Sequence, residues 1–514
     1  MQINNIFKEL TSMTLVSLFK NKNNNINFII ILVLIVFGIF WLKFIHIFNW
    51  GIDDSFFGYT YAKNLINGNG FTFNSEKILG TSAPLPVFLY AVIFKVLEIG
   101  GFKPEIYIIG QFISTIAIIF ISVFMYLFLE QHIGNNTDNN WIQKICAFIG
   151  AIFVYFNLFI LMVFGHETIL AILFLIMSLY FVFRKKIKLS LVLLMIAFFC
   201  RAETIFILPY IIYKIISYKE MPIRVIIKNI AIILLMPIII SLIAEYVYFG
   251  QISSNSFSFK VAQDTISGGA VPFQFIQSFF SWFSNYYFSH TPEALFITIP
   301  VVCVGCLITY RSKDYLFLFI SLTVAPFLFY IFIGISFYHW FLFLFAICIS
   351  TIISEFFYFL FTTIDKKDIS LKYYAYFIIL MSSMLFLYVN AKVINNHKKL
   401  TPYSTEIAYQ TMGNYLKNNT PKESTTAYLE IGQIAYFSER KIIDTTGITT
   451  KNILSNLKNG DKLFSYNYYH PNYIIVEHIF DFLGNPELYE KFNEYHLIKT
   501  FEIPYYRPVS LYGR

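Results

Sequence analysis

The sequence predicts an all-α polytopic membrane protein of about eleven transmembrane helices plus interfacial helices, with a small α/β domain at its C-terminal end. Three observations predict it. The 514 residues are 57% hydrophobic and 13% charged, which is about half the charged share of a soluble chain. Apolar runs of bilayer-spanning length recur between residues 28 and 391. Beyond residue 392 the chain turns polar, with strand-like runs at Thr425–Leu429, Asn472–Val476 and Leu497–Ile503 between helix-like ones at Ser404–Leu416 and Pro486–Tyr495. Soluble globular, disordered, collagenous and disulfide-scaffold classes are excluded on composition.

The 38 Lys+Arg against 30 Asp+Glu give a net charge of +8. In such a chain that surplus marks cytoplasmic loops, so no nucleic-acid partner is expected. Lys8, Lys20 and Lys22 precede the run Phe28–Phe48, which lacks a small-residue cleavage site and reads as a retained first helix with a cytoplasmic N-terminus. Further inside markers are the clusters at Arg184, Lys214–Lys228, Arg311 and Lys366. They require one apolar stretch before Arg184 not to cross. The short run 84–98, with Lys95 and Glu98, is assigned to the outer interface. Crossings then follow near 106–130, 143–164, 167–183, 189–200, 203–217, 225–248, 292–310, 315–334, 340–362 and 373–391. The pair 189–200 and 203–217 is short, so the turn Arg201-Ala202-Glu203 belongs at membrane depth beside a wet cavity. Three segments result: a cytoplasmic stretch 1–26, a membrane module 27–391 with a first outside loop 49–105, and an extracytoplasmic domain 392–514. Cys303 and Cys306 form a C-x-x-C inside a span and read as small apolar fillers.

The polar residues that lipid would not tolerate without a reason gather in the outside loops. Asp53 and Asp54 stand side by side at a helix exit. An N-cap explains one of them, whereas two like charges need a proton or a cation between them. A catalytic base, a metal ligand (Mg, Mn or Ca), or one of each is the preferred reading. Glu167, Arg201 and Glu203 lie at the next two outside hairpins. They make either structural ion pairs or, through Arg201, a grip on phosphate. Lys260 sits among aromatics and hydroxyls in the longest outside loop, and His339 sits at the outer end of a helix. Acids and cations together suit a substrate with a phosphate head, a lipid tail and an acceptor that loses a proton.

The run Asp53-Asp54-Ser-Phe-Phe-Gly-Tyr, then Gly80-Thr-Ser-Ala-Pro-Leu85, resembles the first outside loop of GT-C glycosyltransferases, in particular the branch of the mycobacterial terminal arabinofuranosyltransferases. Gly165-His-Glu167-Thr resembles that branch's Gly-Met-Glu-Thr, and Cys200-Arg-Ala-Glu203 resembles its Thr-Arg-Pro-Glu. Tyr248–Lys260 and Leu429–Asp444 also match recurring stretches, whereas His166, Ala202 and Trp340 depart from the pattern. The resemblance implies transfer of a sugar from a polyprenyl-phosphate carrier to a hydroxyl of a glycan, lipid or protein acceptor at the outer face of a bacterial inner membrane. It further implies Asp53 or Asp54 as base or metal ligand, and Arg201, Lys260 and His339 on the donor phosphate. Glu167, Glu203, Lys63 and His166 would support the site or the acceptor. The alternative is a transporter or flippase of a lipid-linked sugar, but only one broken helix pair and no matching second half are present.

Overall fold

A helix satisfies its backbone donors and acceptors within its own segment, as hydrocarbon demands, and the apolar runs fold accordingly. The computed structural model describes residues 22–49, 51–133, 140–219, 221–267, 274–284, 293–310, 313–335, 337–365, 369–400, 403–476, 493–502 and 508–514. Lys8, Lys20, Arg311, Lys366, Lys367 and most of the helix-like run 486–495 lie outside them. The protein is predominantly helical with a small C-terminal sheet domain. Among the described residues six helices are long and apolar enough to cross a membrane: Asn25–Phe44, Ile106–His132, Ile223–Phe249, Lys313–Ile333, His339–Ile364 and Tyr376–Asn396. Shorter apolar helices occupy Trp141–Phe156, Thr168–Phe183, Ile187–Cys200 and Phe296–Thr309. Six of the eleven expected crossings therefore have full spanning length; the remainder are shorter pieces.

Packing ranks these helices. In the most apolar stretch of His339–Ile364, 89% of residues are buried, against 11% for Ile223–Phe249. The first forms the middle of the bundle; the second turns Ile239, Ile243 and Val247 outward, as a lipid-facing helix does. Thr168–Phe183 and Ile187–Cys200 are clamped by Ser178 and Ser190, each hydroxyl donating to the other residue's carbonyl at 2.8 Å. At the end of the bundle away from the cavity described below, Lys214 pairs with Asp314 at 3.0 Å, and the Tyr315 hydroxyl donates to Glu355. Helix Pro84–Ile99 is not among the span-length helices and exposes Val92, Val96 and Ile99.

The expected break at Arg201 is present. Helix Ile187–Cys200 stops, Arg201 is extended (φ −154, ψ 118), and a 3-10 turn Ala202–Ile207 leads into helix Leu208–Ser217. Beyond the bundle, helix Ile369–Leu400 runs on through the expected boundary at 391/392. Helix Tyr403–Asn419 then leads into a five-stranded sheet: β1 Thr425–Tyr428, β2 Lys441–Asp444, β3 Tyr473–Val476, β4 His496–Phe501 and β5 Val509–Gly513. The order is β2-β1-β3-β5-β4. β1 pairs in parallel with β2 and β3, while β5 runs antiparallel to β3 and β4. β2 and β5 were not read as strands from the sequence.

One sheet face packs on the first loop. Tyr428, Ile434, Ile442 and Leu511 share a single apolar cluster with Phe56, Tyr59, Phe73 and Tyr90. The loop and the sheet domain thus have a common core, which fixes one against the other.

Candidate functional site

Asp54 is the residue before helix Ser55–Ile66, yet its side chain makes no cap bond to that helix. Glu167 likewise precedes helix Thr168–Phe183 without capping it. Two carboxylates stand at two helix N-termini, where the helix dipole favours negative charge. Their side chains remain available for other work. The turns that carry them are locked together: the Tyr59 hydroxyl donates to the Gly165 carbonyl at 2.5 Å, and the Gly165 N–H donates to Ser114 at 3.2 Å. Gly165 itself adopts φ +83, a conformation that favours glycine.

These turns open on a cavity of about 480 Å³ at one end of the bundle. Asp53, Asp54, His166, Glu167, Arg201, Lys260 and His339 all line it, together with Leu429, Glu430, Thr446 and Ile448 of the sheet domain. Segments far apart in the chain supply these groups. The sheet domain contributes the loops that follow the carboxyl ends of parallel strands β1 and β2, the edge at which α/β sheets bind ligands.

Arg201 is held by three contacts. Its Nη2 and Nε reach Glu203 at 2.5 and 3.2 Å, and its Nη1 reaches Glu167 at 3.4 Å. The structural ion pair and the cavity-lining position therefore coexist. Lys260 lies on helix Asn255–Ser267, its ammonium 5.0 Å from the Tyr338 ring and 4.9 Å from the Trp340 ring. The Tyr338 hydroxyl donates to Gln263 at 2.7 Å, and Trp340 also stacks on His166 at 6.1 Å between centroids. Such cation–π contacts hold a desolvated ammonium in place. Two buried nitrogens, His339 Nε2 and Trp340 Nε1, find no hydrogen-bond partner among the described residues. Both residues line the cavity.

Burial sets the titration of this site. It raises the Asp54 carboxyl above the usual range, while Lys260 and Arg201 pull it down. It raises Glu167 to about 7, against the attraction of Arg201. Lys260 is lowered by burial and partly restored by Asp54. His166 is lowered by burial and by the nearby Arg201 and Lys260, which keeps it neutral.

The adjacent aspartates have different partners, although burial and the neighbouring Asp54 charge together raise the Asp53 carboxyl, against the pull of its backbone donors. The Asp53 carboxylate accepts the backbone N–H groups of Gly432 at 2.8 Å and Gln433 at 2.6 Å, at the start of helix Gly432–Ser438. Asp53 caps a helix of the sheet domain. Gly432 is required there, because a Cβ would overlap the Asp53 carbonyl oxygen. Both Asp53 oxygens already meet N–H donors, and Asp54 is coupled to two cations. No group of three or more His, Cys, Asp or Glu residues among the described ones converges as a metal shell.

Lys63 is not among the residues that line the cavity. Its ammonium pairs with Glu439 at 2.9 Å and lies 4.8 Å from the Tyr436 ring, within the contact between loop and sheet domain. Glu203 is also absent from the cavity lining and backs Arg201. Sequence reasoning missed Glu430 as a cavity carboxylate. Its only signal was its place two residues before Gly432 in the Leu429–Asp444 run.

Residues 397–512 match a family described as a Domain of unknown function (DUF8728). That match covers the sheet domain and its leading helix, not the bundle. A comparison with curated proteins returned no match.

Proposed function

We propose that the chain is a membrane glycosyltransferase with a GT-C-like bundle. It takes a sugar from a polyprenyl-phosphate carrier and passes it to an acceptor hydroxyl, with inversion, at the outer face of a bacterial inner membrane. The cavity would then open to the exterior, with the shorter apolar helices completing about eleven crossings. One observation carries the reading: Asp54, Arg201 and Lys260 line a single cavity at the end of an apolar bundle.

The chemistry follows from that arrangement. The acceptor oxygen attacks the anomeric carbon, and its proton passes to Asp54, whose raised basicity suits a general base. The new C–O bond forms as the bond between the anomeric carbon and the phosphate oxygen breaks, its electron pair leaving with the polyprenyl phosphate. Lys260 and Arg201 stabilise the charge growing on that phosphate, assisted by the free N–H of Trp340. Asp53 holds the sheet domain against the site through its two backbone N–H partners. Glu167 and Glu203 orient Arg201. No step needs a metal, since the leaving group meets two side-chain cations.

The test is transfer of label from polyprenyl-phosphate sugars to candidate acceptors by purified protein. Asp54→Asn should lower it about 10²–10⁴-fold. Labelled lipid exchanged across a bilayer without any glycosidic product would refute the enzyme reading and favour a transporter.

A further inference from the structure

A second cavity of about 360 Å³ lies beside the first, within the ~300–1,000 Å³ range of small-molecule sites. The two share walls residue by residue. Ile78 lines the second and Gly80 the first; Asn255 the second and Ser256 the first; Gly447 the second, with Thr446 and Ile448 in the first. The wall is pinned by hydrogen bonds from the Asn255 backbone N–H to the Leu79 carbonyl at 2.7 Å and from Asn255 Nδ2 to the Gly447 carbonyl at 3.2 Å. Consecutive Cα atoms are ~3.8 Å apart, so a single strap of backbone separates the cavities.

The second cavity has its own chemistry. Lys77, Lys451 and Lys458 line it, and among the described residues no carboxylate does. Lys77 sits 4.9 Å from the Tyr248 ring. Glu76, the acid beside it in the chain, is turned to Lys441 at 3.2 Å. Among the other lining groups are the amides of Gln251 and Asn255 and the hydroxyls of Ser258 and Ser455. Amides and hydroxyls serve a polyhydroxylated ligand, and three ammonium groups without a carboxylate serve an anion.

We propose that this cavity is the acceptor subsite, and that the acceptor is an anionic glycan carrying phosphate or carboxylate groups. The charged part of the acceptor lies against Lys77, Lys451 and Lys458, and its chain crosses the 446–448 strap to bring a hydroxyl to Asp54. The matched domain of unknown function would thereby be the acceptor-binding part of the enzyme, since it supplies Lys451, Lys458 and the strap. The assignment of an acceptor rests on the glycosyltransferase reading; the anion site itself does not.

The experiment measures binding to the full-length protein in zwitterionic nanodiscs. The probes are a fluorescent glycerol-phosphate oligomer, an oligogalacturonate of equal length and a neutral oligoglucose. Either anionic probe should bind at least tenfold more tightly than the neutral one, and should weaken as salt rises from about 0.05 to about 0.5 M. Binding by one anionic probe alone identifies the charged group as phosphate or carboxylate. The triple variant Lys77→Gln, Lys451→Gln, Lys458→Gln should lose about tenfold in affinity, and the matching Lys→Arg triple, which controls for folding, should keep it. Equal binding of the neutral probe, or no effect of the glutamine triple, overturns the proposal. If lysine-dependent binding appears but no donor lipid supports transfer, the transferase reading fails and the anion site stands. If Asp54-dependent transfer occurs with an unchanged acceptor KM in the glutamine triple, the subsite fails and the transferase stands.

Discussion

Separate substitution of the two aspartates discriminates most sharply. In the structure Asp53 makes two hydrogen bonds to backbone N–H groups of the sheet domain, whereas Asp54 caps nothing and is coupled to Lys260 and Arg201. A hydrogen bond to a charged group contributes about 1.5–3 kcal/mol. Asp53→Asn keeps one carbonyl acceptor but turns an amide N–H toward a backbone N–H, a loss of about 1.5–3 kcal/mol. Asp53→Ala loses both bonds and strands two buried donors, about 3–5 kcal/mol in all. Much of that falls on the docking of the sheet domain. The readout is hydrogen exchange at residues 432–438, expected to quicken by one to several orders of magnitude in the Asp53 variants and to stay unchanged in Asp54→Asn. Transfer should fall about 10²–10⁴-fold in Asp54→Asn, as for loss of a general base. In Asp53→Asn it should fall only as far as the domain undocks. The reasoning is refuted if Asp53→Asn abolishes transfer while exchange at 432–438 is native, with Asp54→Asn still active.

Three other predictions bear on the same cavity. Gly432→Ala should reproduce the undocking of Asp53→Ala, read as new proteolytic cleavage near helix Gly432–Ser438, because the added methyl overlaps the Asp53 backbone. Burial raises Glu167 to about 7 from its ordinary 4.5, so its folded form holds a proton that its unfolded form has released between those values. Its contribution to stability is therefore unperturbed below pH 4.5 and declines as pH rises toward 7. As it ionises it also opposes phosphate binding, so donor KM should rise through pH 7, and Glu167→Gln should flatten both profiles. Trp340→Leu removes one of the two rings beside Lys260. A cation–π contact contributes ~0.5–2 kcal/mol, so donor KM should rise ~2- to 30-fold with acceptor KM unchanged.

The spans were legible because lipid imposes a simple requirement, length with apolarity, that a local window of sequence can satisfy. Ile106–His132 and Ile223–Phe249 were read nearly to their ends. The break at Arg201 was legible for a related reason: two short apolar runs around charges cannot each span. The cavity residues were picked out individually, since an Asp, Glu or Arg at membrane depth needs a reason. Their partners were not. Asp53 meets a helix 379 residues away, and nothing in the Asp-Asp pair distinguishes the carboxylate that caps that helix from the one that caps none. Lys63 looked like a site residue by proximity, yet a turn of helix carries it into the domain contact. Strands β2 and β5 are no shorter than β1 and β3, which were legible; they become strands through their neighbours in the sheet.

By itself, then, the sequence determined that the chain carries apolar helices long enough to cross a membrane, where the longest of them run, and which polar side chains demand explanation. Those properties depend on transfer from water to hydrocarbon, which acts residue by residue. Only the tertiary structure decided which charges meet, that the sheet domain shares a core with the first loop, and that a second, lysine-lined cavity adjoins the first. Those properties depend on distances between segments hundreds of residues apart, and distance is fixed by packing.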